Sequence, residues 1–323
     1  MILTVTANPA LDITYAVPAL TPGTVHRVGG VLTRAGGKGV NTARVLRALG
    51  EEVVATGFSG GPGGRWVAEQ LRGEGITPAF VDVLSDLRRT VVVHEDTGRS
   101  TSLWEPGPAP ADPADAGAAL LARVGELLPR ARALVVSGSL PDGVDADLPA
   151  RLAGLAADRG VPAVLDVDGE ALRCAAVAAH AVIMPNAEEL ALLTGSLPHD
   201  PVDVVGPARG VLAGGPVPAV VATLGPVGIV AVWAAGAVAA APPEQLPGNP
   251  TGAGDAAVAA VAMALADAGG YDRVDWAAAV VDAVLTSAAS VLRPVAGEVD
   301  LQARERWSGT VNPTWLDGPG CHC

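Results

Sequence analysis

Strand-like and helix-like segments alternate along this chain, and that alternation constrains the fold more than any other feature. Short β-rich runs fall at 2–6, 53–56, 133–137, 162–166, 181–184, 219–223 and 228–233. Between them lie segments with apolar residues at helical spacing: 38–49, 64–72, 111–128, 145–159, one opening at 186, 202–212, 252–268 and 274–292. Successive strands joined through a helix run parallel, and a parallel sheet must be covered on both faces. The expected class is therefore α/β, with a mostly parallel sheet flanked by helices. Two stretches, 13–34 and 79–104, break the alternation with short strand runs and turn residues. They predict a small β-sheet lid inserted into a single α/β domain over 1–310, with 311–323 an irregular C-terminal tail. Within the first motif, Asn8-Pro9-Ala10-Leu11-Asp12 reads as a turn that places Asp12 just past a strand end.

Aromatic residues are only 3% of the 323, so Val, Leu and Ala must build the core. The uncharged stretch 210–243 resembles a membrane span until its breakers are counted. Pro216, Pro218, Gly225, Pro226 and Gly228 cut it into pieces too short to cross ~30 Å as a helix, and two buried strands fit better. The net charge of −13 argues against a nucleic-acid partner or a basic membrane-surface role. With no basic leader segment at the N-terminus, the expectation is a cytoplasmic protein. Cys174, Cys321 and Cys323 make no disulfide framework, and the terminal Cys-His-Cys offers three metal ligands without a fourth. Any anionic ligand must find a local basic cluster.

Four motifs carry chemistry. Thr251-Gly252-Ala253-Gly254-Asp255 opens an Ala/Val-rich helix. Glycines at a helix start leave N–H groups open to a phosphate, and the helix dipole favours an anion there. Asp255 in that first turn can take a proton from an attacking hydroxyl; the plainer reading is an acid favouring the dipole. Gly36-Gly37-Lys38-Gly39-x-Asn41 opens another helix with neither Walker nor Rossmann spacing, and Lys38 is the only lysine of the chain. Asn186 and Glu189, three residues apart, share a helix face where amide and carboxylate can orient water on Mg²⁺; the plainer reading is an N-cap. Thr223-Leu224-Gly225-Pro226-Val227-Gly228 alone is a hairpin turn.

In order, these motifs, with Asn8-Pro9-Ala10-Leu11-Asp12 and Ser137-Gly138-Ser139-Leu140-Pro141, resemble the ribokinase-like PfkB carbohydrate kinases from Thr6 to about Asp300. Asn41-Thr-Ala-Arg-Val-Leu and Glu105-Pro106-Gly107-Pro108 narrow the likeness to the 1-phosphofructokinase and tagatose-6-phosphate kinase branch. The resemblance implies a ribokinase-like fold and an ATP- and Mg²⁺-dependent kinase for a ketohexose phosphate. It makes Asp255 the base and assigns the anion hole to Gly252, Ala253 and Gly254. Asp12, Gly37, Asn41 and Ser137 fall to the sugar, with Arg27, Lys38 and Arg88 for its phosphate. Asn186, Thr223, Gly225, Pro226, Gly228 and Gly254 fall to the nucleotide, and Glu189 to Mg²⁺ through water. Lid strands of this kind often serve dimerisation, so a homodimer is implied. Two features depart from the branch: Met184 stands where a lysine is common, and Ala256-Ala-Val-Ala-Ala follows Asp255. A kinase for an unphosphorylated sugar or nucleoside, or a non-catalytic sugar-phosphate sensor on the same scaffold, remains open at this point.

Overall fold

The computed structural model describes residues 1–317, so the Cys-His-Cys terminus lies outside the described residues. Along the chain run β1 (Ile2–Thr6), β2 (Ala10–Val17), β3 (Gly30–Gly36), α1 (Lys38–Ala48), β4 (Val53–Ser59) and α2 (Gly61–Gly73). Then come β5 (Thr77–Pro78), β6 (Val81–Asp82), β7 (Arg88–Glu95), β8 (Ser100–Trp104), α3 (Pro113–Leu127), β9 (Ala133–Ser137), α4 (Leu148–Ala157) and β10 (Ala163–Asp166). The second half holds α5 (Gly169–Ala178), β11 (Val182–Ile183), α6 (Ala187–Thr194), α7 (Pro201–Gly214) and the strands β12 (Ala219–Thr223), β13 (Ile229–Trp233) and β14 (Gly236–Ala240). It closes with α8 (Ala253–Ala268), α9 (Trp276–Val291), α10 (Leu301–Trp307) and β15 (Thr314–Asp317).

The large sheet has the order β15-β14-β13-β12-β11-β10-β9-β1-β4-β5, with β6 also on β4. From β12 to β5 it is parallel, and β12-β13-β14-β15 is an antiparallel meander at one end. Ile2, Leu3, Leu134, Val135, Val164 and Leu165 are fully buried, as strands covered on both faces require. The uncharged stretch is the meander: its middle strands lie inside the sheet, where a charge would be unpaired. No helix among the described residues is long and apolar enough to cross a membrane. Helix α8 is buried nearly all round, between α1, α9 and the sheet. The small, buried side chains of the Ala256–Ala260 segment let those neighbours approach closely.

A second, four-stranded sheet, β3-β2-β7-β8, forms the lid. Three readings of the sequence are corrected here. Asp12 lies within β2, not in a turn, because the chain resumes a strand directly after Asn8-Pro9. Val81–Asp82 does not join the lid; it extends the edge of the main sheet beside β4, so only β7 and β8 come from 79–104. The tail is not irregular throughout, since Thr314–Asp317 pairs with β14. Trp315 and Trp276 pack on Trp233 with ring centroids 5.9 and 6.0 Å away, burying apolar surface that holds this last strand. Helices α5 and α10 and strand β14 carry no signal strong enough to stand out of the alternation.

Candidate active site

Helix α8 begins with Gly252 in the left-handed region (φ +87°), and a Cβ there would lie 2.7 Å from the Cβ of Ala296. Only glycine turns the chain here without strain. The turn brings Gly252, Gly254 and Asp255 into one cavity of about 160 Å³ with Lys38, Asp166, Met184, Asn186, Glu189 and Thr223. The Ala253 N–H, assigned to the anion hole by the resemblance, is instead donated to the carbonyl of Pro250 at 3.1 Å. Gly252 and Gly254 remain as the main-chain groups that meet the cavity.

Asp255 is buried, and Asn41 donates Nδ2 to its Oδ2 at 2.9 Å. Burial pushes its pKa up to about 7; Asp166 and Asp12 add to that rise, while the Asn41 hydrogen bond and Lys38 oppose it. A carboxylate held near neutrality is matched to accept a proton at neutral pH. The buried Asn41 Oδ1 has no hydrogen-bond partner among the described residues.

Lys38 opens α1 and donates Nζ to Asp166 Oδ1 at 3.0 Å. Burial works against its charge, but Asp166, Glu189 and Asp255 outweigh that and hold the ammonium above its ordinary pKa. Ser137 ends β9 and donates its hydroxyl to the other oxygen of Asp166 at 2.7 Å. Its side chain therefore serves Asp166. That aspartate was missed in the sequence, although it ends a parallel strand, and ligands of open α/β sheets bind beyond the carboxyl ends of their strands.

Asn186 caps α6, with its Oδ1 accepting from the Glu189 N–H and Glu189 Oε2 accepting from the Asn186 N–H, both at 2.9 Å. The N-cap reading thus holds, and the same two residues also line the cavity. Burial raises the pKa of Glu189; its hydrogen bond from Asn186 and the charge of Lys38 oppose that, and Asp166 and Asp168 add to it. Thr223 donates its backbone N–H to Pro185 at 3.0 Å, which fixes β12 beside α6. Gly225 and Pro226 follow in an exposed turn, and Gly228 is buried against Ala240; these three do not line the cavity.

The lid carries a second cluster. Asp12 Oδ1 accepts a hydrogen bond from the Thr90 hydroxyl, across paired strands. A Cβ at Gly36 would lie 2.1 Å from the Asp12 carboxyl carbon, so glycine there makes room for this carboxylate. Burial raises the Asp12 pKa; Thr90, Arg44, Arg88 and Arg34 pull it back. Arg88 donates Nε to the Asn8 carbonyl at 3.2 Å, and burial lowers its pKa against the charges of Asp12 and Asp168. Gly37 joins the lid to α1 between these two clusters. Arg27, in contrast, is exposed in the β2–β3 loop and makes no ion pair or side-chain hydrogen bond among the described residues.

A mostly parallel α/β sheet flanked by helices, with a separate β lid and a buried carboxylate at a glycine-opened helix, is the architecture of the ribokinase-like fold. The sequence model of the "pfkB family carbohydrate kinase" matches residues 5–303, and the chain belongs to that family. Among solved structures it is similar to Escherichia coli phosphofructokinase-2, at 27% identity over 94% of this chain and 97% of that one. The TM-score is 0.83 for the potassium complex and 0.81 for the complex with fructose-6-phosphate. A Thermotoga maritima chain described as a possible 1-phosphofructokinase is 24% identical over 97% and 99% of the two chains, with TM-score 0.81. Ribokinase of the same organism is 19% identical over 95% and 99%, with TM-score 0.68. The last two likenesses are of fold alone.

Proposed function

We propose that this kinase transfers the γ-phosphoryl group of ATP to a hydroxyl of a ketohexose phosphate: fructose 1-phosphate, tagatose 6-phosphate or fructose 6-phosphate. The observation that carries the reading is the buried Asp255, held near neutrality in one cavity with the Gly252 and Gly254 backbone, Lys38 and Thr223. Asp255 takes the proton of the acceptor hydroxyl. The N–H groups of Gly252 and Gly254 face the charge that builds on the transferring group, where helix-terminal donors act most strongly. Asp12, Gly37 and the unpartnered Oδ1 of Asn41 hold sugar hydroxyls. Arg88, next to Asp12, takes the phosphate already on the sugar, with Arg27 of the lid loop as its second cation. Lys38, which the resemblance gave to the sugar's phosphate, is paired with Asp166 and is placed in this reading on the phosphoryl-transfer side instead, where it supplies positive charge.

Thr223, Asn186 and the turn Gly225, Pro226 and Gly228 form the nucleotide side. No group of three or more His, Cys, Asp or Glu among the described residues can hold a metal ion by itself. Mg²⁺ brought by ATP keeps several waters and takes only one or two carboxylates. Glu189 and Asp166 would hold it through water; burial first, and then the charges of Asp166 and Asp168, raise the pKa of Glu189, and a cation would offset both. Such an ion would neutralise charge on the nucleotide phosphates. Exposed apolar side chains on the lid, Val31, Leu32, Leu103 and Trp104 (59, 46, 61 and 70% exposed), support a homodimer through this sheet in a soluble cytoplasmic enzyme.

The test is ATP-dependent ADP release with Mg²⁺ across fructose 1-phosphate, fructose 6-phosphate, tagatose 6-phosphate, free fructose and ribose. Turnover confined to phosphorylated sugars is expected. Activity on free sugars alone removes the role of Arg88 and Arg27, and silence on all sugars removes the reaction.

A further inference from the structure

Outside the kinase site, the structure holds a second and larger cavity of about 440 Å³ at the edge of the main sheet, between α2, α3 and the strands β4 to β6. It shares no lining residue with the cavity around Asp255. Three arginines line it: Arg65 and Arg72 on α2, and Arg123 on α3. Arg65 and Arg72 are seven residues apart, two helical turns, and so share a face. Neither makes an ion pair or a side-chain hydrogen bond among the described residues. Arg123 pairs only with its exposed neighbour Glu126 at 2.9 Å. The one carboxylate on the wall is Asp82. In a chain of net charge −13, three guanidinium groups around one cavity, two of them without an ion pair among the described residues, run against the global balance. The half-buried ring of Phe80 and the hydroxyl of Ser59 complete the lining.

From this juxtaposition we infer that the cavity is a second ligand site, for a small phosphate ester whose ring lies against Phe80 and whose phosphate is held by Arg65, Arg72 and Arg123. The volume suits a small metabolite. Planar guanidinium groups match phosphate oxygens two at a time, which an ammonium does not. The ligand's position also gives it a route to the substrate. Asp82 on the cavity wall begins the short segment that runs into Arg88 at the start of β7. Within that segment, Asp86 Oδ1 accepts from Gly63 N of α2 and from Leu87 N, both at 2.9 Å. The helix carrying Arg65 and Arg72 is thus tied to the strand carrying Arg88. Occupancy then alters the affinity for the sugar phosphate; this effect rests on the kinase reading, whereas binding itself does not.

The experiment is calorimetric titration of the full chain with inorganic phosphate and with AMP, for wild type, Arg65→Ser/Arg72→Ser, Phe80→Ala and Arg88→Ala. The double variant is expected to lose one of two binding events, or at least tenfold in affinity, with circular dichroism and kcat unchanged. Phe80→Ala is expected to weaken AMP and spare inorganic phosphate; equal weakening of both points to free phosphate and overturns the ester. Binding that is the same in the double variant, or that is lost only in Arg88→Ala, overturns the site. So does an absence of any binding by wild type, including where an acidic polypeptide binds instead. The coupling is read separately: 5 mM phosphate is expected to shift KM for the sugar phosphate in the double variant only by competition at Arg88, and in wild type by an additional amount; equal shifts in the two overturn the coupling. If no sugar is turned over at all, the kinase reading fails while the titration still decides the site.

Discussion

Replacing Asp255 with Asn tests the catalytic and the electrostatic argument in one variant. The amide keeps the shape and can still accept from Asn41 Nδ2, but it neither ionises nor takes a proton. General-base contributions are about 10²–10⁴-fold, so kcat should fall by roughly a thousandfold with KM for ATP changed only a few-fold. Stability should move the other way. Burial first, then Asp166, lifts the Asp255 pKa from 3.8 to about 7 in the folded chain. A raised carboxylate pKa favours the folded state fully below the unfolded pKa, and that contribution is lost as pH rises through the folded one. The two pKa values make the wild type roughly 3 kcal/mol less stable at pH 8.5 than at pH 5 through this residue alone. For 323 residues the unfolding entropy is about 0.7 kcal/mol per degree, so the melting-point gap between variant and wild type should widen by about 4 °C over that range. Calorimetric melts from pH 5 to 8.5, with steady-state rates at each pH, read both effects. A gap that stays flat with pH refutes the burial penalty, and a variant with more than a tenth of wild-type kcat removes Asp255 as the base.

Other perturbations follow from the same geometry. In the wild type, kcat/KM should rise about tenfold per pH unit below about 7 and level off above it, because the base must be deprotonated. Lys38→Met should cut kcat and move that limb to higher pH, since Lys38 holds the Asp255 pKa down; an unmoved limb in pH–rate profiles counts against the coupling. Arg88→Gln removes a charged donor worth about 1.5–3 kcal/mol. KM for the phosphorylated sugar should therefore rise roughly ten- to hundredfold, and KM for ATP should stay put, both read from initial-rate kinetics. Gly252→Ala forces a Cβ to 2.7 Å from that of Ala296 at φ +87°, so a loss of about 1–3 kcal/mol in denaturant unfolding and a fall in kcat are expected together.

The legible parts of this protein are those in which local chemistry and global placement coincide. The parallel sheet could be read because buried strands and their crossover helices each carry their own periodicity, and α8 because its glycine turn is needed both to start the helix and to open the site. Asp166 escaped for the opposite reason. Val-Leu-Asp-Val-Asp looks like any strand running into a turn, and only the arrival of Lys38 from 128 residues away and of Ser137 from 29 makes it a centre. The same holds for Ala253: spacing places its N–H at the helix start, but the turn that brings in Asp255 also points that N–H at Pro250. The lone lysine shows how the two levels combine. Composition marks Lys38 as unusual without saying what it faces, and the sheet supplies the answer by ending β9 and β10 beside it, with Gly138 leaving 3.6 Å between a Cβ there and the Lys38 side chain. An arginine at 38 would have to fit its broad planar head between Asp166, Glu189 and Asp255, where a compact ammonium reaches all three carboxylates electrostatically. Lys38→Arg should therefore keep the charge and still lose most of the rate, and near-normal kcat in that variant would show that charge alone suffices at this position.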